Sequence, residues 1–196
     1  GVDSVFYFSA KYQIFDGVFG RGGPTSAVKA LYDGRSALTP VAGVVHSGQC
    51  TPEDPLCQPR YSGEGKTNGL TSDDGTSLNP RQLLVHFVDN HDVPRFLSQF
   101  PKRSRFHNAL AFLLTTDGVP CIYYGTEQDF SGGPDPSNRE DMWHSGFRTD
   151  GETFQLTKSL ISVRKRLAPL RRGDLRITMT SEHSGDDPAA GAHAGI

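Results

Sequence analysis

The chain has 196 residues, a formal charge of −2 (20 Lys+Arg against 22 Asp+Glu) and 35% hydrophobic residues. That length is enough for one domain with a real core. The near-neutral charge argues against a polybasic surface for nucleic acid or an anionic membrane, and no apolar run approaches the roughly 20 residues of a membrane-spanning helix.

The first residue is Gly, not Met, and the chain opens directly in a strand-like run, Val2 to Phe8. No signal peptide is visible, and this start points to a fragment or a processed chain. Lys11 to Phe19 places Tyr12, Phe15, Val18 and Phe19 at a helical period. Gly20, Gly22, Gly23 and Pro24 end that segment, and Ser26 to Tyr32 predicts another helix. From Asp33 to Pro80 the pattern disappears into Gly, Ser, Thr, Asp and Pro, which reads as a long loop and not as an interdomain linker.

That loop holds Cys50 and Cys57, separated by six residues in a Pro-rich stretch. A disulfide between them would pin the loop and place the protein in a secreted or periplasmic compartment. The alternative is two free loop thiols. A zinc site is not expected, because C-x6-C has no companion Cys/His pair. Cys121 lies in an apolar run and reads as a small hydrophobe.

Gln82 to His91 predicts the next strand. Residues 87 to 96 read F-V-D-N-H-D-V-P-R-F. An apolar run thus delivers Asn90, His91 and Asp92 together, with Pro94 stopping regular structure and Arg95 behind it. A strand ending in a clustered carboxylate and imidazole is how a barrel enzyme presents chemistry at a strand's C-terminal end. Arg105 to Thr116 predicts an amphipathic helix with Phe106, Ala109, Leu110, Leu113 and Leu114 on one face. Val119 to Tyr124 predicts a third strand, followed by a polar loop from Gly125 to about Gly151. Thr153 to Leu167 predicts a helix whose basic last turn suits the negative end of its dipole. Leu175 to Met179 alternates like an edge strand, and Ser181 to Ile196 is expected to have little structure of its own. Alternation of this kind implies parallel βα units, and three are too few to close a barrel of eight strands.

These residues resemble glycoside hydrolase family 13, the α-amylase family. F-V-D-N-H-D-V-P-R-F resembles its seventh-strand motif, and G-V-P-C-I-Y-Y-G-T-E (118–127) its eighth. V-D-S-V-F-Y-F-S-A-K-Y-Q-I-F-D-G-V-F is similar to the sixth strand and its helix, and N-R-E-D-M-W (138–143) to the loop after the eighth strand. S-L-I-S-V-R-K-R-L-A-P-L-R-R-G-D-L resembles the final barrel helix, and R-I-T-M-T-S-E the first strand of the C-terminal β domain. The motifs run in one unbroken order over about residues 1 to 190.

The resemblance implies an α/β fold: part of a TIM (β/α)8 barrel, strands six to eight with their helices, over residues 1–173. Residues 174–196 would begin a truncated C-terminal β domain. It implies a glycosidase acting on α-glucosidic bonds of starch-like glucans with retention, and a partner that is an α-glucan or maltooligosaccharide. Asp92 would be the catalytic carboxylate that stabilises the transition state, and His91 would contact the sugar at the cleavage point. Asn90 and Arg95 would orient or neutralise neighbours. Tyr124, by stacking, and Glu127, at the end of its strand, would face the cleft; each has a structural alternative, in the core or in an internal hydrogen bond. Trp143 could stack likewise or join the core, and Arg139 could hold a carboxylate or hydroxyl or form a loop salt bridge. Asp89 could point inward or pair with a neighbour, and of the alternating Tyr123 and Tyr124 at most one faces the barrel interior.

Retaining glycosidases also need a nucleophile and an acid/base carboxylate about 5 Å apart. The family takes them from the fourth and fifth strands, upstream of this chain. The chain alone is therefore expected to need the upstream barrel segment for a complete fold and to be inactive. No organic cofactor is implied, and no metal ligand is assigned here; any Ca2+ of the parent enzyme would be held by upstream residues. The pentapeptide G-F-R-T-D (146–150) superficially matches the family's nucleophile motif. No buried strand precedes it, so Asp150 reads as a turn or helix-start residue. The rival reading of the whole is a non-catalytic α-glucan-binding or accessory member of the family. A second is an independent, smaller α/β sugar-binding domain.

Overall fold

The computed structural model describes residues 5–35, 38–40, 45–51, 53–59 and 80–182. Its centre is a parallel arrangement of three chain passages. Strand β3 (Val85–Phe87) pairs with β4 (Val119–Cys121) in the register Val85↔Val119, His86↔Pro120, Phe87↔Cys121. On the other side of β3, Phe6 forms a parallel bridge to Val85, closed by Tyr7 N–H to the Val85 carbonyl (2.8 Å) and Val85 N–H to the Val5 carbonyl (2.9 Å). The three passages are neighbours in chain order, and helices fill the intervals, as parallel crossovers require.

The first strand, expected over Val2 to Phe8, is a single bridge at Phe6 among the described residues; residues 1–4 lie outside them. A short helix α1 (Phe8–Ala10) leads into a π-helix, Lys11–Gly20, where an α-helical period was expected. Two features account for the wider turn. Gly17 and Gly20 weaken α-helical preference, and the buried Lys11–Asp16 ion pair joins side chains five residues apart, the π-helical repeat. Burial pushes the Asp16 carboxyl up, with Lys11 and then Arg21 pulling it back. Ile14, Phe15 and Val18 are buried, but Tyr12, expected on that face, is exposed.

Helix α2 (Ser26–Gly34) follows. The loop expected to lack regular structure contains a small antiparallel pair, β1 (Leu38–Pro40) with β2 (Cys57–Pro59). The Cys50–Cys57 disulfide ties the loop to the start of β2. Residues 60–79 lie outside the description. A 3-10 turn, Pro80–Leu83, precedes β3. Two helices then follow: α3 (Phe96–Gln99), absent from the sequence reading, and α4 (Arg103–Thr115), close to expectation. After β4 the chain makes 3-10 turns at Thr126–Gln128 and Met142–Ser145, then α5 (Glu152–Arg166) and α6 (Pro169–Arg172).

The core lies between the strands and the helices: Tyr7, Ile14, Phe15, Val28, Tyr32, Leu84, Val88, Phe96, Phe106, Leu110 and Leu113 are all buried there. Each fully buried Leu or Phe contributes about 1.5–3 kcal/mol relative to exposure. Arg164 of α5 donates to the carbonyls of Leu114, Thr116 and Gly118, satisfying the end of α4. On the opposite face of the strands, Phe87 is buried under Phe6 (ring centroids 5.4 Å) and Phe8 (5.1 Å), both of which remain partly exposed. Leu175 to Met179, expected as an edge strand, is irregular; a strand needs a ladder partner, and the described residues offer it none. This segment instead runs beside α2, with Ser26 N–H bonded to the Ser181 carbonyl (3.2 Å).

Candidate active site

The site grows from the C-terminal end of β3. Asp89 is buried, and both of its oxygens are used. Oδ1 accepts from the Thr126 hydroxyl (2.8 Å) and Oδ2 from the Phe96 amide (3.0 Å), which makes Asp89 the anchor of α3. Burial pushes its carboxyl above the ordinary range, while the Phe96 amide and Thr126 hydroxyl favour the ionised form.

Asn90 is also buried. Its Oδ1 accepts the Asp92 N–H (2.8 Å), a side-chain-closed turn that bends the chain outward. The turn delivers His91 and Asp92 to solvent, with side chains 52% and 60% exposed and His91 Nε2 3.3 Å from Asp92 Oδ1. Among the residues of 87–96, these two alone combine exposure with acid/base or charge chemistry. Asn138 lies behind them, fully buried, with Nδ2 directed at the carbonyls of Asn90, His91 and Val93 (3.3, 2.9 and 2.9 Å).

Arg95 was expected to orient or neutralise neighbours from within the substrate-binding set. Its fully buried side chain puts it behind the site, not on its surface. Nε donates to Glu140 Oε2 (3.1 Å), the other Glu140 oxygen accepts the Ser131 amide (3.0 Å), and the Arg95 amide donates to the Gly132 carbonyl (3.0 Å). The guanidinium lies 4.1 Å from the Tyr123 ring centroid, 5.1 Å from Tyr124 and 5.4 Å from Phe130. Such stacking suits a planar, weakly hydrated cation. Arg95 thereby fixes the loop after β4 against the loop after β3.

Tyr124 is 41% exposed and packs edge-on against Tyr123. Glu127 stands apart from the pair at 91–92. It lines an open cavity whose walls include Arg103, Asp129, Glu140, His144 and Arg148 but neither His91 nor Asp92. Arg139 pairs with Asp135 (2.6 Å) and reaches the His91 carbonyl (3.4 Å), while Trp143 is exposed. Asp150, the residue of the misleading G-F-R-T-D, is bound by its own loop neighbour Arg148 (3.0 Å) at the surface, and that contact holds its carboxyl below the usual range. It lies in a bend immediately before α5 and not on a strand, as expected of a loop residue.

Asn138, Glu140 and Thr126 were not singled out from the sequence as parts of the site. The signal for two of them was present in N-R-E-D-M-W, which positions Asn138 and Glu140 in the loop after the eighth-strand motif. The grouping of His46, Cys50 and Cys57 has metal-ligand chemistry, but both sulfurs are consumed by the disulfide.

A family model described as the α-amylase catalytic domain matches residues 67–144. α-Amylase 2 of Schwanniomyces occidentalis is 34% identical over 83% of this chain and 31% of its own length. A cyclomaltodextrin glucanotransferase of Bacillus sp. (strain 17-1) is 46% identical over 46% of this chain and 11% of its own. The solved α-amylase of Malbranchea cinnamomea superposes with a TM-score of 0.65 at 24% identity, covering 93% of this chain and 31% of that one, which establishes the fold. The chain therefore spans less than a third of each of these relatives.

Proposed function

We propose, because this chain belongs to the α-amylase family, glycoside hydrolase family 13, that it supplies one part of an α-glucan-cleaving site. Asp92 is the carboxylate that stabilises the transition state, and His91 hydrogen-bonds the sugar beside it. The observation that carries this reading is the exposed pair itself: a carboxylate and an imidazole 3.3 Å apart, presented to solvent from a strand end while the flanking Asn90 and Val93 are buried. The glycosidic transition state is oxocarbenium-like, so an ionised carboxylate fixed near the ring lowers its energy more than that of the ground state.

The reaction is cleavage or transfer at α-glucosidic bonds of starch-like glucans, with retention. Retention needs two further carboxylates; Asp89 is committed to α3 and Thr126, Glu140 to Arg95 and Asp150 to Arg148, while Glu127 lines a cavity apart from the His91–Asp92 pair. The nucleophile and acid/base belong to barrel strands outside this sequence, and the chain alone does not turn over. Tyr124 offers a ring face to a sugar, Glu127 offers hydrogen bonds from its cavity, and Asn90 and Arg95 act through the frame.

Exposed apolar side chains on both outer passages, Val5 and Phe6 on one and Val119 on the other, support a partial barrel of strands six to eight whose edges await further strands. Residues 174–196 are read as the start of a C-terminal β domain. The disulfide favours an oxidising compartment, secreted or periplasmic. The test is to assay the purified 196-residue chain on a maltooligosaccharide. No turnover above blank is expected; turnover that vanishes in Asp92→Asn would refute the claim that the chain alone is inactive.

A further inference from the structure

We infer that Asn138 is the positioning residue for the His91–Asp92 turn: one buried amide group on the loop after β4 grips the backbone that carries both side chains. The inference rests on the proposed role of Asp92 and deepens it.

Three observations carry it. The Asn138 side chain is fully buried, and its Nδ2 lies 2.9 Å from the carbonyls of His91 and Val93 and 3.3 Å from that of Asn90. Carbonyl oxygens only accept, so the NH2 end must face them. Its two hydrogens serve the two short contacts and share the third. At the other end of the amide, Oδ1 is buried with no partner among the described residues. A buried acceptor left unpaired is destabilising, so the side chain is held here by its donor end. Finally, His91 and Asp92 project into solvent at an angle that the turn's own single bond, Asp92 N–H to Asn90 Oδ1, does not fix alone. Among the described residues, the external ties are Asn138 and a longer contact from Arg139 to the His91 carbonyl (3.4 Å).

The hydrogen bonds of Asn138 go to backbone carbonyls, so its effect on chemistry passes through placement. A reacting group displaced by about 1 Å costs on the order of a hundredfold in rate. Loss of the clamp should appear in kcat, because Asp92 acts on charge that develops only in the transition state, and much less in KM.

The test uses the full natural polypeptide that carries this sequence, with kcat, KM and melting midpoint measured on a maltooligosaccharide for five proteins: wild type, Asp92→Asn, Asn138→Ala, Asn138→Ser and Arg164→Lys. Asn138→Ala is expected to lower kcat at least thirtyfold with KM within threefold. Asn138→Ser, which keeps one donor, recovers part of that loss. Arg164→Lys, which weakens the cap of α4 on the far side of the core, lowers the melting midpoint and leaves kcat and KM within threefold. If both Asn138 variants melt early but keep the wild-type kcat while Asp92→Asn is inactive, the clamp is structural only and the inference is overturned. If Asn138→Ala does not fold, the kcat of Asn138→Ser decides: a loss supports the clamp, an unchanged value overturns it. If Asp92→Asn is fully active, the proposed role of Asp92 fails first and the inference falls with it.

Discussion

His86 gives the fold a definite sensitivity to acid. Its ring is fully buried on β3, packed edge-on against Tyr7 (5.4 Å) and beside Tyr32 (6.4 Å), and neither ring nitrogen has a hydrogen-bond partner among the described residues. The chain is closely packed here. A Cβ on Gly118, whose φ is +79°, would stand 2.7 Å from the His86 ring, so this glycine is required for both its conformation and its size. Burial pushes the imidazole down from its ordinary 6.5 to about 4; nearby Asp117 opposes the shift, and Arg35 and Arg164 reinforce it. Because the folded value lies below the unfolded one, the unfolded chain takes up the proton first. The stabilising contribution is complete above about pH 6.5 and is lost as pH falls towards 4. At about 1.4 kcal/mol per unit, the shift corresponds to a loss of about 3 kcal/mol across that window. The perturbation is His86→Phe, which keeps a ring in the pocket and removes the titrating group and its unpaired nitrogens. In denaturant unfolding of the natural polypeptide at pH 7, 5.5 and 4, the variant should gain on wild type by about 3 kcal/mol between the first and last points. In NMR, the His86 ring resonances should stay constant to about pH 5 and titrate near 4. Parallel pH slopes for the two proteins, or a His86 ring that titrates near 6.5, would refute the reasoning.

Two further outcomes follow from the geometry. Thiol titration of the unfolded but unreduced chain should find one reactive cysteine, Cys121, since Cys50 and Cys57 are paired; in the folded protein that thiol should react slowly, because burial raises its pKa. Three reactive thiols would remove the disulfide and with it the argument for an oxidising compartment. Asp150→Asn should leave kcat/KM of the full natural polypeptide within twofold, because Asp150 is exposed and, among the described residues, paired with Arg148; a loss of a hundredfold or more would restore G-F-R-T-D as a nucleophile motif.

The sequence made legible those features that depend on periodicity or on local motif order. Helices α4 and α5 have apolar residues at regular spacing, or a charged last turn, and appear within a few residues of expectation. Their parallel strands are also present, but shorter, because a strand ends where ladder partners end and that depends on distant residues. The π-helix was hidden for a different reason. The pattern at 11–19 fits an α-helix; Gly17 and Gly20 weaken that preference, but the buried Lys11–Asp16 pair, which favours the wider turn, is invisible until both side chains are placed. Leu175–Met179 alternates correctly for a strand, yet alternation cannot supply a neighbour. At the site, the sequence singled out His91 and Asp92 because polar groups at a strand end are adjacent in the chain, and the structure exposes both side chains. It could not separate surface from frame: Asn90 and Arg95 stand in the same decapeptide and are buried, while their partners Asn138 and Glu140 come from more than forty residues away.

The most direct test of the central claim is kcat/KM on a maltooligosaccharide for Asp92→Asn in the full natural polypeptide that carries this sequence. Replacing the carboxylate by a neutral amide of the same shape should leave the fold and melting midpoint unchanged, since Asp92 is 60% exposed and, among the described residues, His91 is the side chain paired with it. Removing one preorganised electrostatic group typically costs 100- to 1,000-fold, and a full negative charge facing a sugar cation should cost no less. The account predicts a loss of about a thousandfold, expressed mainly in kcat. A variant that folds normally and retains activity within tenfold of wild type would contradict it.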